Sequence, residues 1–190
     1  MLEGLTNSFN YYDTSIFFWI NLHLHNPLYD MLLSIVTFAG TQIFWIAICL
    51  GLFIFGGEKG KKVALICFFA LFLSYVLSEL IKYLVARPRP FVVLNKVELV
   101  SYTGGYSFPS GHATTAFALC TVLGLKYGYI YLFIAFAALI AFSRVYLGVH
   151  YPSDVIFGAL LGVGCALLLL REENKIWDYI LKLKSRLVNK

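Results

Sequence analysis

The sequence predicts an all-α protein, a polytopic transmembrane helix bundle of about five spans forming one domain over residues 1–190, and two observations carry that prediction. The first is composition: 60% of residues are hydrophobic and only 13% charged, with a mean hydropathy of +0.79. A soluble domain carries about 25% charged residues, so apolar core helices of a soluble fold are a poor account of this chain. The second is the presence of four apolar runs, 29–55, 63–85, 127–148 and 152–170, each close to or above the length needed to cross hydrocarbon. A helix needs about 20 residues for that.

A fifth run, 110–125, is shorter and carries Gly, Ser and Thr, as suits a helix shielded by its neighbours. Gly158 and Gly162 lie four apart in the last run, a spacing that lets helix backbones approach closely in lipid. Residues 8–25 are apolar but broken by Asn21, His23, His25 and the Asn26-Pro27 turn signal, which predicts an outer interfacial helix or a short sixth span. His23 and His25 point to different faces of a helix and are read as polar residues at a headgroup boundary rather than metal ligands. In the tail, 171–190, Ile176, Ile180, Leu183 and Leu187 share one face amid basic residues, as in an amphipathic helix on anionic lipid. Cys49, Cys67, Cys120 and Cys165 fall inside apolar runs without paired spacing and are expected to be small buried residues.

Charge sets an expected orientation. The first basic residue is Lys59, so a secretory signal with a basic start is not expected, and insertion falls to the spans themselves. With five spans, Lys59, Lys61, Lys62, Lys126 and the basic residues of the tail share one side, which the positive-inside rule makes cytoplasmic. The C-terminus is then cytoplasmic and the N-terminus outside; a sixth span would move the N-terminus inside.

Lys82, Arg87, Arg89, Lys96 and Arg144 remain on the side that ought to lack cations. Ionisable groups near a membrane are costly and usually face a cavity or a partner. Ser110, His112, His150 and Asp154 are expected at the same outer boundary, which makes the set suited to an anion. Ser110 is a good N-cap, and the N–H groups at Gly111 and His112 point out of a helix start whose dipole favours phosphate. Gly111 leaves room for close approach. In "GVHYPSDV", Pro152 suits a first helical position, so Asp154 falls in the first turn and can reach back to His150. An imidazole held by a carboxylate presents its other nitrogen as nucleophile or base, and His112 is free to protonate a leaving oxygen. Lys and Arg can stabilise a transferring phosphoryl group without a metal. Two His and one Asp also match a common metal-ligand set, but the crowded cations would repel a metal ion.

The chain resembles the type 2 phosphatidic acid phosphatase superfamily, which is similar in its active site to the vanadium haloperoxidases. Three motifs carry the resemblance: "KYLVARPRP" (Lys82, Arg89, Pro90), "PSGH" (Pro109 to His112) and "SRVYLGVHYPSD" (Ser143, Arg144, His150, Asp154). It implies an acid phosphatase/vanadium haloperoxidase-like core, His150 as the nucleophile forming a phosphohistidine, Asp154 as its orienting partner and His112 as general acid. It also implies phosphate binding by Lys82, Arg89, Ser110, Gly111 and Arg144, with no metal and no cofactor. Arg87 is not a motif position and is expected to be at most a headgroup contact. Glu79, one turn before Lys82, is read as a partner for that lysine.

The expected partners are the bilayer and a membrane lipid phosphate, not nucleic acid. The expected location is the plasma or inner membrane of a prokaryote, with the site on the extracytoplasmic side. The leading reaction is hydrolysis of a polyprenyl diphosphate such as undecaprenyl diphosphate to the monophosphate. Phosphatidylglycerophosphate, phosphatidic acid and lipid A phosphate are the alternative substrates, and transfer to a second lipid is the alternative reaction. A haloperoxidase is disfavoured by the apolar spans, and a transporter leaves the paired His and Asp unexplained. Residues 91–108 are the expected selectivity loop, with Lys96 and Glu98 near its mouth.

Overall fold

A computed structural model describes residues 2–188, except the side chains at 2–9, 181, 183–185 and 187–188, and no strand occurs among the described residues. Leu183 and Leu187 of the expected tail face therefore lie outside the described side chains. The helices are α1 (Leu2–His23), α2 (Pro27–Phe38), α3 (Gln42–Phe55), α4 (Gly57–Val85), α5 (Pro90–Val93), α6 (Gly111–Tyr127), α7 (Ile130–Tyr146) and α8 (Pro152–Val188). By length and composition, α4 running on through α5 and α8 as far as Ile180 can each cross a membrane. α2 and α3 reach that length and composition only when taken together, as a pair broken by a bend, and α7 is a shorter apolar helix.

The run expected as one span over 29–55 is two helices, bent by 53° at Ala39–Thr41. Thr41 restarts the chain as the N-cap of α3, accepting from the Phe44 N–H at 3.4 Å while its hydroxyl donates to the Phe38 carbonyl at 2.7 Å. Gly40 at the bend lies close to α6 and α7: a Cβ there would lie 2.7 Å from Cδ2 of His112 and 2.8 Å from Cγ2 of Ile140. The tail expected as a separate helix over 171–190 continues α8 without a break to Val188. Ile176 packs on the core, Lys126 pairs with Glu173, and the Lys62 ammonium sits 4.8 Å over the Trp177 ring. Contacts with the bundle hold this stretch as helix.

α6 is the central helix, packed between α4, α7 and α8. Ala113, Ala116, Ala118, Leu119 and Cys120 on it are fully buried, which explains why a short run with polar residues is stable here. Its contact with α8 is backbone to backbone, since a Cβ at Gly158 would lie 2.8 Å from the Ser110 carbonyl and one at Gly162 only 2.2 Å from that of Thr114. All four cysteines are buried and free.

α1 packs against α7 and α8. Phe17 is fully buried with its ring 5.8 Å from that of Tyr151. Asn21, read from the sequence as a break in the apolar run, is also fully buried: its amide donates to the carbonyls of Glu98 and Tyr146 at 2.8 Å and accepts from the Glu98 N–H at 2.9 Å. These bonds fasten the 91–108 connection across Gly148, where a Cβ would meet the Glu98 carbonyl at 2.8 Å and φ is +82°. His23 is exposed and stacks on Trp19, while His25 Nδ1 lies 3.2 Å from Asp30.

Candidate active site

Two helix starts and the end of a third meet at the site. Ser110 caps α6, accepting from the Ala113 N–H at 3.5 Å, and its own N–H donates to the Asp154 carbonyl in the first turn of α8 at 3.0 Å. Asp154 is the third residue of α8 and reaches back to the N–H of the capping residue Tyr151 at 2.9 Å. That is the back-bond of a capping box, and it locks the carboxylate beside the preceding turn. His150 lies in that turn, 2% exposed, with Nδ1 3.5 Å from Oδ2 of Asp154. The Ser107 hydroxyl stands between them, 2.5 Å from Oδ2 and 3.5 Å from Nδ1.

The other ring nitrogen faces a cation. Arg89 places Nη1 3.1 Å from His150 Nε2 and also donates to the carbonyls of Val149, Gly104 and Gly105 at 2.9–3.0 Å. A guanidinium can only donate, so Nε2 carries the lone pair and, in the neutral ring, Nδ1 carries the proton toward Asp154 and Ser107. Burial, aided by the charges of Arg89 and Arg144 and opposed by Asp154, lowers the pKa of His150 to about 4. The ring is therefore neutral near pH 7 with its lone pair available.

His150 borders a cavity of about 320 Å³ lined also by Lys82, Arg89, Gly111 and His112, with Thr103 and Gly104 from the 91–108 connection and Gly40 to Ile43 from the α2–α3 bend. Lys82 is paired with Glu79. Its Nζ would lie 3.3 Å from a Cβ on Gly111, so glycine there lets the ammonium reach the α6 start. Ser110, Asp154 and Arg144 stand behind this lining and are 0–2% exposed. Arg144 donates to Thr37 at 2.7 Å and Thr103 at 3.2 Å, and its Nε is buried without a protein partner. Among the described residues, no three His, Cys, Asp or Glu side chains are grouped to hold a metal ion.

Arg87, expected at the headgroups, points inward instead. Its Nη1 donates to Oδ1 of Asp154 at 2.7 Å and its Nη2 to Oδ2 of Asp13 at 2.7 Å, with the guanidinium 3.8 Å over the Tyr151 ring. Ala86, in a left-handed conformation at φ 49°, turns the chain at the end of α4 just before it. Asp13, Ser107, Thr37, Thr103 and Gly40 also escaped the sequence reading. Only Ser107 had a local signal, since it directly precedes "FPSGH".

A cationic cavity facing a lone-pair imidazole, within an all-helical bundle with membrane-spanning helices, defines a membrane enzyme that acts on an anionic group. The chain belongs to the PAP2 superfamily, whose family model matches residues 63–178. An undecaprenyl-diphosphatase of Sulfolobus acidocaldarius is 35% identical over 139 residues, spanning 71% of this chain and 66% of that protein. The undecaprenyl-diphosphatase BcrC of Bacillus subtilis is 26% identical over 170 residues, spanning 87% of this chain and 88% of its own. The crystal structure of Aquifex aeolicus LpxE matches with a TM-score of 0.74 at 34% identity, covering 83% of this chain and 94% of that one.

Proposed function

We propose that this protein removes the terminal phosphate of a polyprenyl diphosphate, such as undecaprenyl diphosphate, at the extracytoplasmic face of the membrane. The protein is a lipid phosphatase, and what is proposed is the substrate, the side and the chemical route. The observation that carries the route is the orientation of His150, with Nδ1 backed by Asp154 and Nε2 turned to the cationic cavity.

In the first step Nε2 attacks the terminal phosphorus, the bond to the bridging oxygen breaks, and the electron pair leaves with that oxygen, which takes a proton from His112. Lys82, Arg89 and Arg144 offset the charge on the non-bridging oxygens, and Asp154 stabilises the positive ring. Arg89 must then exchange its contact with Nε2 for one with phosphate. In the second step water attacks the phosphohistidine, giving a proton to His112 as the P–N pair returns to Nε2, and inorganic phosphate leaves. The cationic lining supplies the stabilisation this route needs without a metal.

Support for a long-chain lipid comes from apolar clefts between α3 and α4. The cavity shares Gln42 and Tyr75 with a cleft lined by Ile46, Phe68, Leu71 and Phe72. That cleft shares Ile46 and Phe68 with a deeper one of about 300 Å³ lined by Cys49, Leu50, Phe53, Ala64 and Leu65. Headgroup and tail therefore have adjoining sites. The outer face is supported by the basic residues at the opposite end of the bundle, Lys59, Lys61, Lys62 and Lys126.

The test is phosphate release by the purified protein in mixed micelles containing a chelator, comparing polyprenyl diphosphate, phosphatidylglycerophosphate, phosphatidic acid and lipid A. Polyprenyl diphosphate is expected to have the highest kcat/KM, and His150→Ala is expected to abolish release on every substrate while remaining folded. Preference for another lipid would overturn the substrate, and an active His150→Ala protein would overturn the nucleophile.

A further inference from the structure

The first helix reaches the catalytic carboxylate through a row of charges. Asp13 on α1 is only 5% exposed. Its Oδ1 accepts from the Ser153 N–H at 2.9 Å, and its Oδ2 accepts from the Ser153 hydroxyl at 2.5 Å and from Arg87 at 2.7 Å. Arg87 in turn donates to Ser153 Oγ at 2.8 Å and to Asp154 Oδ1 at 2.7 Å. The sequence of charges is thus Asp13, Arg87, Asp154 and then the His150 ring. We propose that Asp13 and Arg87 are positioning residues for the reaction, fixing the Asp154 carboxylate and keeping its negative charge effective at His150. This rests on the reading of His150 as nucleophile.

Geometry and charge each require the pair. Asp154 Oδ2 is held by the Tyr151 N–H and the Ser107 hydroxyl, and Arg87 supplies the hold on Oδ1 that stops the carboxylate rotating away from the ring. A lone Arg87 would nevertheless cancel the charge of Asp154 as felt by His150. Asp13, on the far side of the guanidinium, restores a net negative charge to the group. That charge matters most when the ring becomes positive on phosphorylation. Neither Asp13 nor Arg87 lines the cavity, so their effect should fall on turnover rather than on substrate binding.

The experiment uses the full-length protein in detergent with Asp13→Asn, Arg87→Gln and Arg87→Lys, and with His150→Ala as reference. For Asp13→Asn the expected result is a fall in kcat of about tenfold or more, within the roughly 100-fold that a misplacement of about 1 Å can cost. KM should stay within about threefold. The acid limb of the pH profile should move down, because removing a negative charge lowers the proton affinity of His150. The other groups facing His150 and Asp154, namely Arg89, Arg144, His112 and Tyr151, are the same in every variant. Arg87→Lys should keep more turnover than Arg87→Gln. Unchanged kcat and an unmoved acid limb in folded Asp13→Asn, beside an inactive His150→Ala, would overturn the positioning role and leave the nucleophile standing. An active His150→Ala protein would overturn the reading beneath both. Should Asp13→Asn fail to fold, Arg87→Gln decides, and wild-type kcat there overturns the proposal.

Discussion

Gly40→Ala tests whether the α2–α3 bend holds His112, the proposed general acid, in place. The added Cβ would lie 2.7 Å from His112 Cδ2, 2.8 Å from Ile140 Cγ2 and 3.0 Å from His112 Cβ, where ordinary contact begins at 3.4 Å. Ile140 is fully buried and has nowhere to retreat, whereas the His112 ring borders the cavity. The imidazole must therefore shift into the cavity by about 0.7 Å, the shortfall between 2.7 and 3.4 Å. A misplacement of about 1 Å can cost about 100-fold in rate. A fall in kcat of roughly 10- to 100-fold follows, equivalent to about 1.4–2.7 kcal/mol of activation free energy. The discriminating assay compares a lipid monophosphate, whose alkoxide leaving group needs a proton, with a nitrophenyl phosphate, whose leaving group does not. Gly40→Ala and His112→Ala should both lose far more activity on the lipid. Equal losses on both substrates, or wild-type turnover on the lipid, would refute the idea that this contact positions a proton donor.

Two further outcomes are expected. Gly162→Ala places a Cβ 2.2 Å from the Thr114 carbonyl and 2.9 Å from the Ala118 nitrogen, both backbone atoms, whereas Gly164 has nothing within 4 Å. It should lower stability by about 1–3 kcal/mol, seen as a lower thermal midpoint in detergent than Gly164→Ala, and equal midpoints would refute the close α6–α8 contact. The second concerns pH: His150 has its pKa lowered from 6.5 to about 4, so the neutral ring that the proposed attack needs persists down to that range. The acid limb of kcat/KM should lie near 4, and a limb near 6.5 would show a freely ionising ring. Because the folded value is the lower one, the stability linked to this group is complete above about 6.5 and is lost as pH falls through about 4.

The site residues whose placement follows from local backbone rules were the most legible in the sequence. Ser110 as an N-cap, Asp154 in a first turn and Glu79 beside Lys82 each depend on neighbours three or four positions away, and the structure has all three contacts. The bend at Gly40 is not legible, because the apolar run continues through it and what it packs against, the His112 and Ile140 side chains, lies on distant helices. Arg87 was misread for a related reason. A cation next to a helix end faces lipid headgroups unless carboxylates await it, and one of the two carboxylates that Arg87 meets, Asp13, lies 74 positions away on α1. The apolar composition of α1 disguised its role, since Asp13 and Asn21 look like interruptions until the buried groups they satisfy are known.

The packing glycines and the chemistry are parts of one design. His112 and His150 sit on different elements, so the gap between the proposed proton donor and the proposed nucleophile is set by how closely α6 approaches α8. Gly158 and Gly162 allow that approach directly over Ser110 and Thr114, and the Ser110 N–H to Asp154 carbonyl bond fixes the two helix starts in register. In lipid, where apolar side chains gain little from leaving one hydrocarbon for another, such backbone contacts are a main source of helix association. The same small residues that hold the bundle together therefore also set its reactive geometry. A larger side chain on this stripe should impair turnover even where the protein remains folded, because any widening of the α6–α8 spacing also widens the distance between the two imidazoles.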